Sequence, residues 1–299
     1  MPELPEKLIL LILQGFGLGI VTIALAFAWS RLSQRFNLTA PSMGLMVGIA
    51  FLAGEMTFHS ATLRGWIAVF LLAGMRLMRP RTQTGRIAIR TICIFFSAAI
   101  LASWSIDAEP WWLRVLVIPA CVFLVPSTER LNEHHFAEGL VPLLILFTAA
   151  GVLTIVPDTE EIALLFGLLL STTLSVQFFH LSFFDKTGTA PLIGLLIWVI
   201  CVDGQGRPAS VLASAGCLGL LVAEPILNAI TSSRLDVLNR FSPGRPLRSA
   251  LLLHCFSIAI VLVMARTTSS LLHSAAAALA AISIPAVALV LRKKRDLEK

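Results

Sequence analysis

Ionisable side chains inside long apolar runs cost about 2.5–3.5 kcal/mol each to insert in lipid, so they are the first places to look for chemistry. Glu224 stands in Leu220-Leu221-Val222-Ala223-Glu224-Pro225, where Pro225 removes a backbone donor and loosens a helix. His254 lies in the next apolar run, and each of the two is roughly six residues, or ~9 Å, from the same end of its run. An acid and an imidazole at equal depth on consecutive antiparallel helices can meet and pass a proton near neutral pH. The same contact can also serve packing alone, and both readings stay open at this point. Glu55 and His59, four apart in Gly54-Glu55-Met56-Thr57-Phe58-His59, form a second acid and imidazole pair at the end of a run, where solvation at an interface is the competing fate. Gln14 in the first run completes the proton-relay candidates, and Arg114 is long enough to snorkel to a surface.

Other motifs are weaker. Asp185-Lys186-Thr187-Gly188-Thr189 matches the phosphorylation sequence of P-type pumps. That chemistry needs a large nucleotide-binding assembly, and here the next apolar run begins at Pro191, so the match reads as a tight turn. Glu129, Glu133, His134, His135 and Glu138 share one polar stretch, and His134 and Glu138 are four apart, but no HExxH spacing is present. A solvated connector fits better than a metal site. Gly-x-Ser-x-Gly is absent, and Glu160-Glu161 lacks the Arg of membrane CAAX-type proteases, since Leu165 stands in its place. Cys93, Cys121, Cys201, Cys217 and Cys255 all fall in apolar runs without CxxC spacing and read as small buried hydrophobes. No catalytic residue, metal or cofactor is expected, and an enzyme is the weaker reading.

The elements that must position these residues are helices in lipid. Of 299 residues, 57% are apolar and 13% charged, and the mean hydropathy is +0.87, far from a soluble globule. Taking Gly, Pro and charge clusters as breaks, the apolar runs are 8–29, 41–58, 65–79, 87–106, 111–126, 141–157, 161–182, 191–203, 209–230, 248–265 and 271–291. The fold class expected is therefore an all-α integral membrane protein with ten or eleven transmembrane helices. The runs at 65–79, 111–126 and 191–203 are short for a full crossing. If all eleven cross, one side collects 18 of the 23 basic residues, leaving Lys7, Arg64, Arg114, Arg207 and Arg266 on the other. By the positive-inside rule this puts the N-terminus outside and the C-terminus in the cytoplasm of a bacterial inner membrane. A sequence pI of about 9.5 then reflects topology and anionic lipid heads, with no nucleic-acid partner required.

Sliding the chain by 150 positions aligns Phe16-Gly17-Leu18 with Phe166-Gly167-Leu168, Thr39-Ala40-Pro41 with Thr189-Ala190-Pro191, and Gly44-Leu45 with Gly194-Leu195. With longer loops, Phe96-Ser97 meets Phe256-Ser257 and Ile118-Pro119-Ala120 meets Ile284-Pro285-Ala286. Residues 1–128 and 161–299 are thus expected to be two five-span repeats, joined by a cytoplasmic connector and linking span over 129–160. An odd linking span makes the repeats parallel, related by an axis along the membrane normal. Gly15, Gly17 and Gly19 form a small-residue stripe suited to close helix contact.

Ile162-Ala163-Leu164, Gly167 to Ser171, Lys186-Thr187-Gly188 with Pro191 and Gly194, and Gly244-Arg245 carry a likeness. Over about half the chain, the second copy resembles the small membrane subunit of poly-γ-glutamate synthases, with a longer Gly167-to-Lys186 spacing. That resemblance implies a non-catalytic membrane partner of a polymer synthesis and export complex. A fainter resemblance to aromatic-acid efflux proteins of the fusaric-acid type fails on orientation, because the third loop is basic. The leading expectation is a transporter or exporter handling a small solute or envelope precursor, coupled to protons through Glu224 and His254. Membrane lipids and membrane-complex proteins are the expected partners.

Overall fold

The computed structural model describes residues 3–36, 43–58, 63–74, 83–104, 112–133, 140–156, 160–178, 189–203, 208–223, 226, 246–267 and 270–297. Among them there is no strand, and the fold is all-helical. In chain order the helices are α1 (Glu3–Phe36), α2 (Met43–Phe58), α3 (Leu63–Gly74), α4 (Gln83–Trp104), α5 (Trp112–Glu133), α6 (Leu140–Ile155), α7 (Glu160–Phe178), α8 (Ala190–Asp203), α9 (Pro208–Gly216), α10 (Pro246–Thr267) and α11 (Leu271–Leu297). Each corresponds to one apolar run of the sequence. The reason is composition: Leu, Ala, Ile and Phe at nearly every position carry no side-chain hydrogen bonds that compete with the backbone.

By length and composition one helix, over Glu6–Leu32, is long and apolar enough to cross a membrane, with 27 residues and a hydropathy of 2.5. Only 22% of its most apolar window is buried, which is not how the core helix of a soluble protein sits. The other apolar helices among the described residues, such as Met43–Met56 and Ala190–Cys201, run 10–17 residues. Large apolar side chains also face outward elsewhere, with Leu252 on α10 72% exposed and Leu272 on α11 78% exposed.

α8 is the centre of the bundle. Every residue from Ala190 to Cys201 is buried, and α2, α3, α4, α5, α6, α7 and α9 all touch it. Small residues allow this approach. A methyl group on Gly194 would stand 2.6 Å from Leu72 Cδ1, and one on Gly48 would stand 2.9 Å from Val69 Cγ1 and 3.6 Å from Pro191. Phe51 meets Trp198 edge-on at 6.5 Å between centroids.

α1 lies most extensively on α7, and glycine makes that contact too. A Cβ on Gly15 would collide with the carbonyl oxygen of Leu164, one on Gly19 with Ser171 Oγ, and one on Gly167 with the carbonyl oxygen of Ile12. Gly17 has nothing near it. The expected three-residue stripe is therefore a Gly15-to-Gly19 pair at one-turn spacing, because Gly17 points some 200° away on a helix of 3.6 residues per turn.

Contacts fix helix directions. Moving along α1 from Ile12 to Gly19 moves the contact along α7 from Leu164 to Ser171, so the two run parallel. α2 and α8 are parallel through Gly48 with Pro191 and Phe51 with Trp198. α9 and α11 are parallel through Gly216 with Ala278 and Gly219 with Ala281, whereas α9 and α10 are antiparallel through Gly216 with Val261 and Gly219 with Ser257. At the start of α3, Arg64 Nη1 donates to the Ser103 carbonyl at the end of α4 over 2.8 Å, an antiparallel pairing.

Candidate functional site

Two groups of buried polar side chains stand out against this apolar background. The first gathers where α6, α9 and α10 meet. His254 on α10 is wholly buried, and its Nε2 lies 3.1 Å from Thr148 Oγ1 and 3.1 Å from the Leu144 carbonyl oxygen, both on α6. A carbonyl only accepts, so the hydrogen-bond network assigns the ring proton to Nε2, directed between these two oxygens. The Thr148 hydroxyl has two acceptors of its own, Leu144 O at 2.8 Å and Cys217 O, just past the end of α9, at 3.2 Å. Nδ1 of His254 is buried without a hydrogen-bond partner. In this tautomer it is a bare acceptor pointing into the interior.

The backbone of α9 is broken beside this node. Cys217 N and Leu218 N bond back three residues, to Ser214 O and Ala215 O at 3.1 Å each, and helix resumes at 219–223. The tightened turn is flanked by Gly216 and Gly219, both poor helix formers. Each is pressed against neighbours: a methyl on Gly216 would lie 2.9 Å from Val261 Cγ2, and one on Gly219 would lie 2.8 Å from the Ala281 carbonyl oxygen. Gly151 on α6 brings that helix to the same point, its added methyl 3.0 Å from Cys217 Sγ. Pro225, where sequence reasoning placed a loosening of this run, lies outside the described residues. Among the described residues the helix is interrupted at Cys217 and Leu218, where a glycine on either side allows the approach of α10 and α11.

The second group lies where α1, α2 and α7 meet. Glu55 on α2 is only 4% exposed, and the charges of Glu161 and Glu160 at the start of α7 are near enough to act on it. Glu160 is ion-paired with Lys7 of α1. Gln14 of α1 has its Oε1 buried without a partner. One residue before Glu55, a methyl on Gly54 would stand 2.8 Å from Leu164 Cδ2 of α7 and 3.0 Å from Leu18 Cδ1 of α1, so the three helices are in contact at this level.

The sequence-derived candidates are thus divided. His254 belongs to the α6–α9–α10 node and Glu55 to the α1–α2–α7 cluster, while Gln14 lies on α1 with its Oε1 buried and unpartnered. Glu224 and His59 lie outside the described residues, as do His134, His135 and the Asp185-to-Gly188 turn. Thr148 and Leu144, the partners that His254 has, were missed by sequence reasoning. The available signal was Thr148, one of two hydroxyls in the apolar run of α6 and the one nearer its middle. Among the described residues no group of three or more His, Cys, Asp or Glu side chains is arranged to hold a metal ion. The five cysteines are free, four of them buried and Cys255 half-buried, as small apolar residues would be. Compared with known proteins, the chain matches no family model and no curated relative.

Proposed function

We propose that this chain is a polytopic protein of a bacterial inner membrane, crossing it eleven times with the N-terminus outside. In this reading it moves a small solute or an envelope precursor through its bundle. One observation carries the transport reading: a buried polar node of His254, Thr148 and the Cys217 carbonyl, seated at an interruption of α9. Lipid-exposed protein has no use for a broken helix, because freed backbone groups find no water there. Where a broken helix is enclosed by others, its ends and neighbouring polar side chains are what transporters use to hold cargo and coupling ions. His254 Nδ1, the unfilled acceptor of the node, is the group that takes a proton. Just past α9, Cys217 contributes its carbonyl, and α6 contributes Thr148 and the Leu144 carbonyl, neither of which titrates.

Eleven crossings are supported by helix direction. Every contact that fixes a direction pairs odd helices with odd and even with even as parallel, and odd with even as antiparallel, as a chain that alternates sides requires. The duplication draws support from the same contacts. α1 and α7 touch in parallel at separations of 149 (Gly15 with Leu164) to 155 residues (Ile12 with Gly167), which brackets the sequence offset of 150. An axis along the membrane normal between the two halves brings equivalent helices together in just this way. The exposed Leu, Ile and Phe side chains of α1, α10 and α11 are the surface offered to lipid.

The test compares small-molecule pools inside cells and in their medium, with the full chain, with His254→Gln and with Thr148→Val. At least one solute is expected to redistribute with the parent protein and to do so at least tenfold less with His254→Gln. If no solute moves while the protein sits in the membrane and copurifies with a synthase or other complex, the non-catalytic subunit reading replaces this one. Single cysteines placed at 129–138 test orientation, since labelling from outside would reverse it.

A further inference from the structure

We infer that His254 works a latch: protonation at its Nδ1 turns the Thr148 hydroxyl from the Leu144 carbonyl to the Cys217 carbonyl, and so ties α6 to the interruption beside α9. That a proton arrives at Nδ1 rests on the transport reading above; the latch itself rests on donors and lone pairs. Three donors converge on the Leu144 carbonyl oxygen. The Thr148 N–H reaches it as a bond of helix α6, four residues back along the chain. The Thr148 hydroxyl lies 2.8 Å from it, and His254 Nε2 lies 3.1 Å from it. A carbonyl oxygen has two lone pairs, so one donor is surplus. It has two places to go, because Thr148 Oγ1 lies 3.1 Å from Nε2 and the Cys217 carbonyl oxygen lies 3.2 Å from Thr148 Oγ1.

Two arrangements satisfy every donor of this set. In the first, the Thr148 hydroxyl bonds back within its own helix to Leu144 O, a habit of threonine in helices. Nε2–H then donates to Thr148 Oγ1, and Cys217 O is released by α6. In the second, Nε2–H donates to Leu144 O and the displaced hydroxyl proton turns to Cys217 O. Charge on the ring decides between them. Hydrogen bonds from a charged donor are roughly twice as strong as neutral ones, so an imidazolium claims the amide carbonyl and leaves the hydroxyl to Cys217. The proton taken up stays on Nδ1, and the Thr148 O–H rotates without breaking. A charge change thus biases a two-state element.

What the latch fastens is the cover of the interruption. Leu144, Thr148 and Gly151 share one face of α6, at spacings of four and three residues. A methyl on Gly151 would lie 3.0 Å from Cys217 Sγ and 2.9 Å from Ile258 Cγ2, one turn beyond His254 on α10. The α6 face that rests on the Cys217 thiol is therefore the face that reaches the Cys217 carbonyl. Ionisable groups around it are few. Among the described residues, α6 has none and Cys217 is the one in α9 and the turn after it. α10 adds Arg248, Cys255 and Arg266, and α11 adds His273 near its start and residues 292–296 at its far end. The acid among these, Asp296, stands fifteen residues past Ala281, which meets Gly219 at the level of Ser257. A charge on His254 is answered instead by the oxygens of α6.

The test is infrared spectroscopy of the full chain in detergent micelles, with carbon-13 in the cysteine carbonyls and the Cys217 band identified by its loss in Cys217→Ala. Nitrogen-15 spectra of labelled histidine, with His254 identified by its loss in His254→Gln, report protonation at Nδ1. The Cys217 carbonyl stretch is expected to move to lower frequency as His254 takes its proton, with the same midpoint in pH. Thr148→Val should abolish that shift, Thr148→Ser should restore it, and in His254→Gln the band should not change with pH. Melting reports whether each variant is folded. A Cys217 band that stays in place while His254 titrates overturns the proposal, as does a shift that survives in Thr148→Val. Absence of any Nδ1 protonation while the protein is folded also overturns it. Solute movement with an unmoved band would remove the latch and leave the transport reading. A band that follows His254 in a protein that moves no solute would do the reverse.

Discussion

The His254 node and the Glu55 cluster are both polar islands in an apolar bundle, yet they solve burial differently. At His254 each donor has an acceptor: Nε2–H meets Thr148 and Leu144, and the Thr148 hydroxyl meets Leu144 or Cys217. One ring nitrogen is left over. At Glu55 the acceptors outnumber the donors, and one lysine, engaged by Glu160, is the available cation among the described residues. A balanced network ties α6, α9 and α10 together, whereas at the meeting of α1, α2 and α7 buried oxygens are left without donors among the described residues.

The largest expected effect separates the two structurally. Gly15→Leu or Gly167→Leu forces a side chain into the opposing helix backbone, since even a Cβ collides there. Overpacking costs about 1–3 kcal/mol or more, and the melting temperature in micelles should fall sharply. Preserved stability in Gly167→Leu would show that α1 is not seated on α7.

Next in size is Thr148→Val. It leaves the His254 ring with one oxygen instead of two and removes the tie to Cys217 O, at an expected cost of about 0.6–1.7 kcal/mol in a membrane bundle. Thermal unfolding measures it.

Glu55→Gln should change stability in the opposite sense, because an amide carries no charge to desolvate. A melting temperature equal to or above the parent would sharpen the contrast. Clear destabilisation would instead mark Glu55 as a structural member with a partner of its own. Gly17→Ala is the smallest effect. With open space around it, Gly17 should accept a methyl and gain helix propensity, up to about 1 kcal/mol. Failure of Gly17→Ala beside success of Gly15→Ala would reverse the assignment of the α1 face.

Much of the helix order was legible in the sequence, because an apolar run bounded by Gly, Pro and charge can hardly avoid being a helix. α3, α5 and α8 begin within two residues of the runs at 65, 111 and 191. The interruption at Cys217 and Leu218 was not legible, since the glycines at 216 and 219 act through what α10 and α11 press against them. The partners of His254 were equally hidden. Depth along a helix placed His254 beside its sequence neighbour in span nine, but only packing brings α6, over one hundred residues earlier, onto the ring. For Glu55 the sequence offered His59 at one-turn spacing, and the tertiary structure adds the start of α7 with Glu160 and Glu161.

α1 and α8 mark the boundary between the two kinds of information. By sequence both are apolar all round, so hydropathy treats them alike, as helices kept out of water. Lipid tails and a protein interior are equally apolar, so hydropathy cannot say which of the two surrounds a helix. Tertiary packing places α8 at the centre, fully buried from Ala190 to Cys201, and leaves α1 at the edge with 22% of its apolar window covered. Steric fit makes that choice, because Gly48 and Gly194 let neighbours close on α8 from several directions, while Gly15 and Gly19 give α1 one flat face, which it commits to α7.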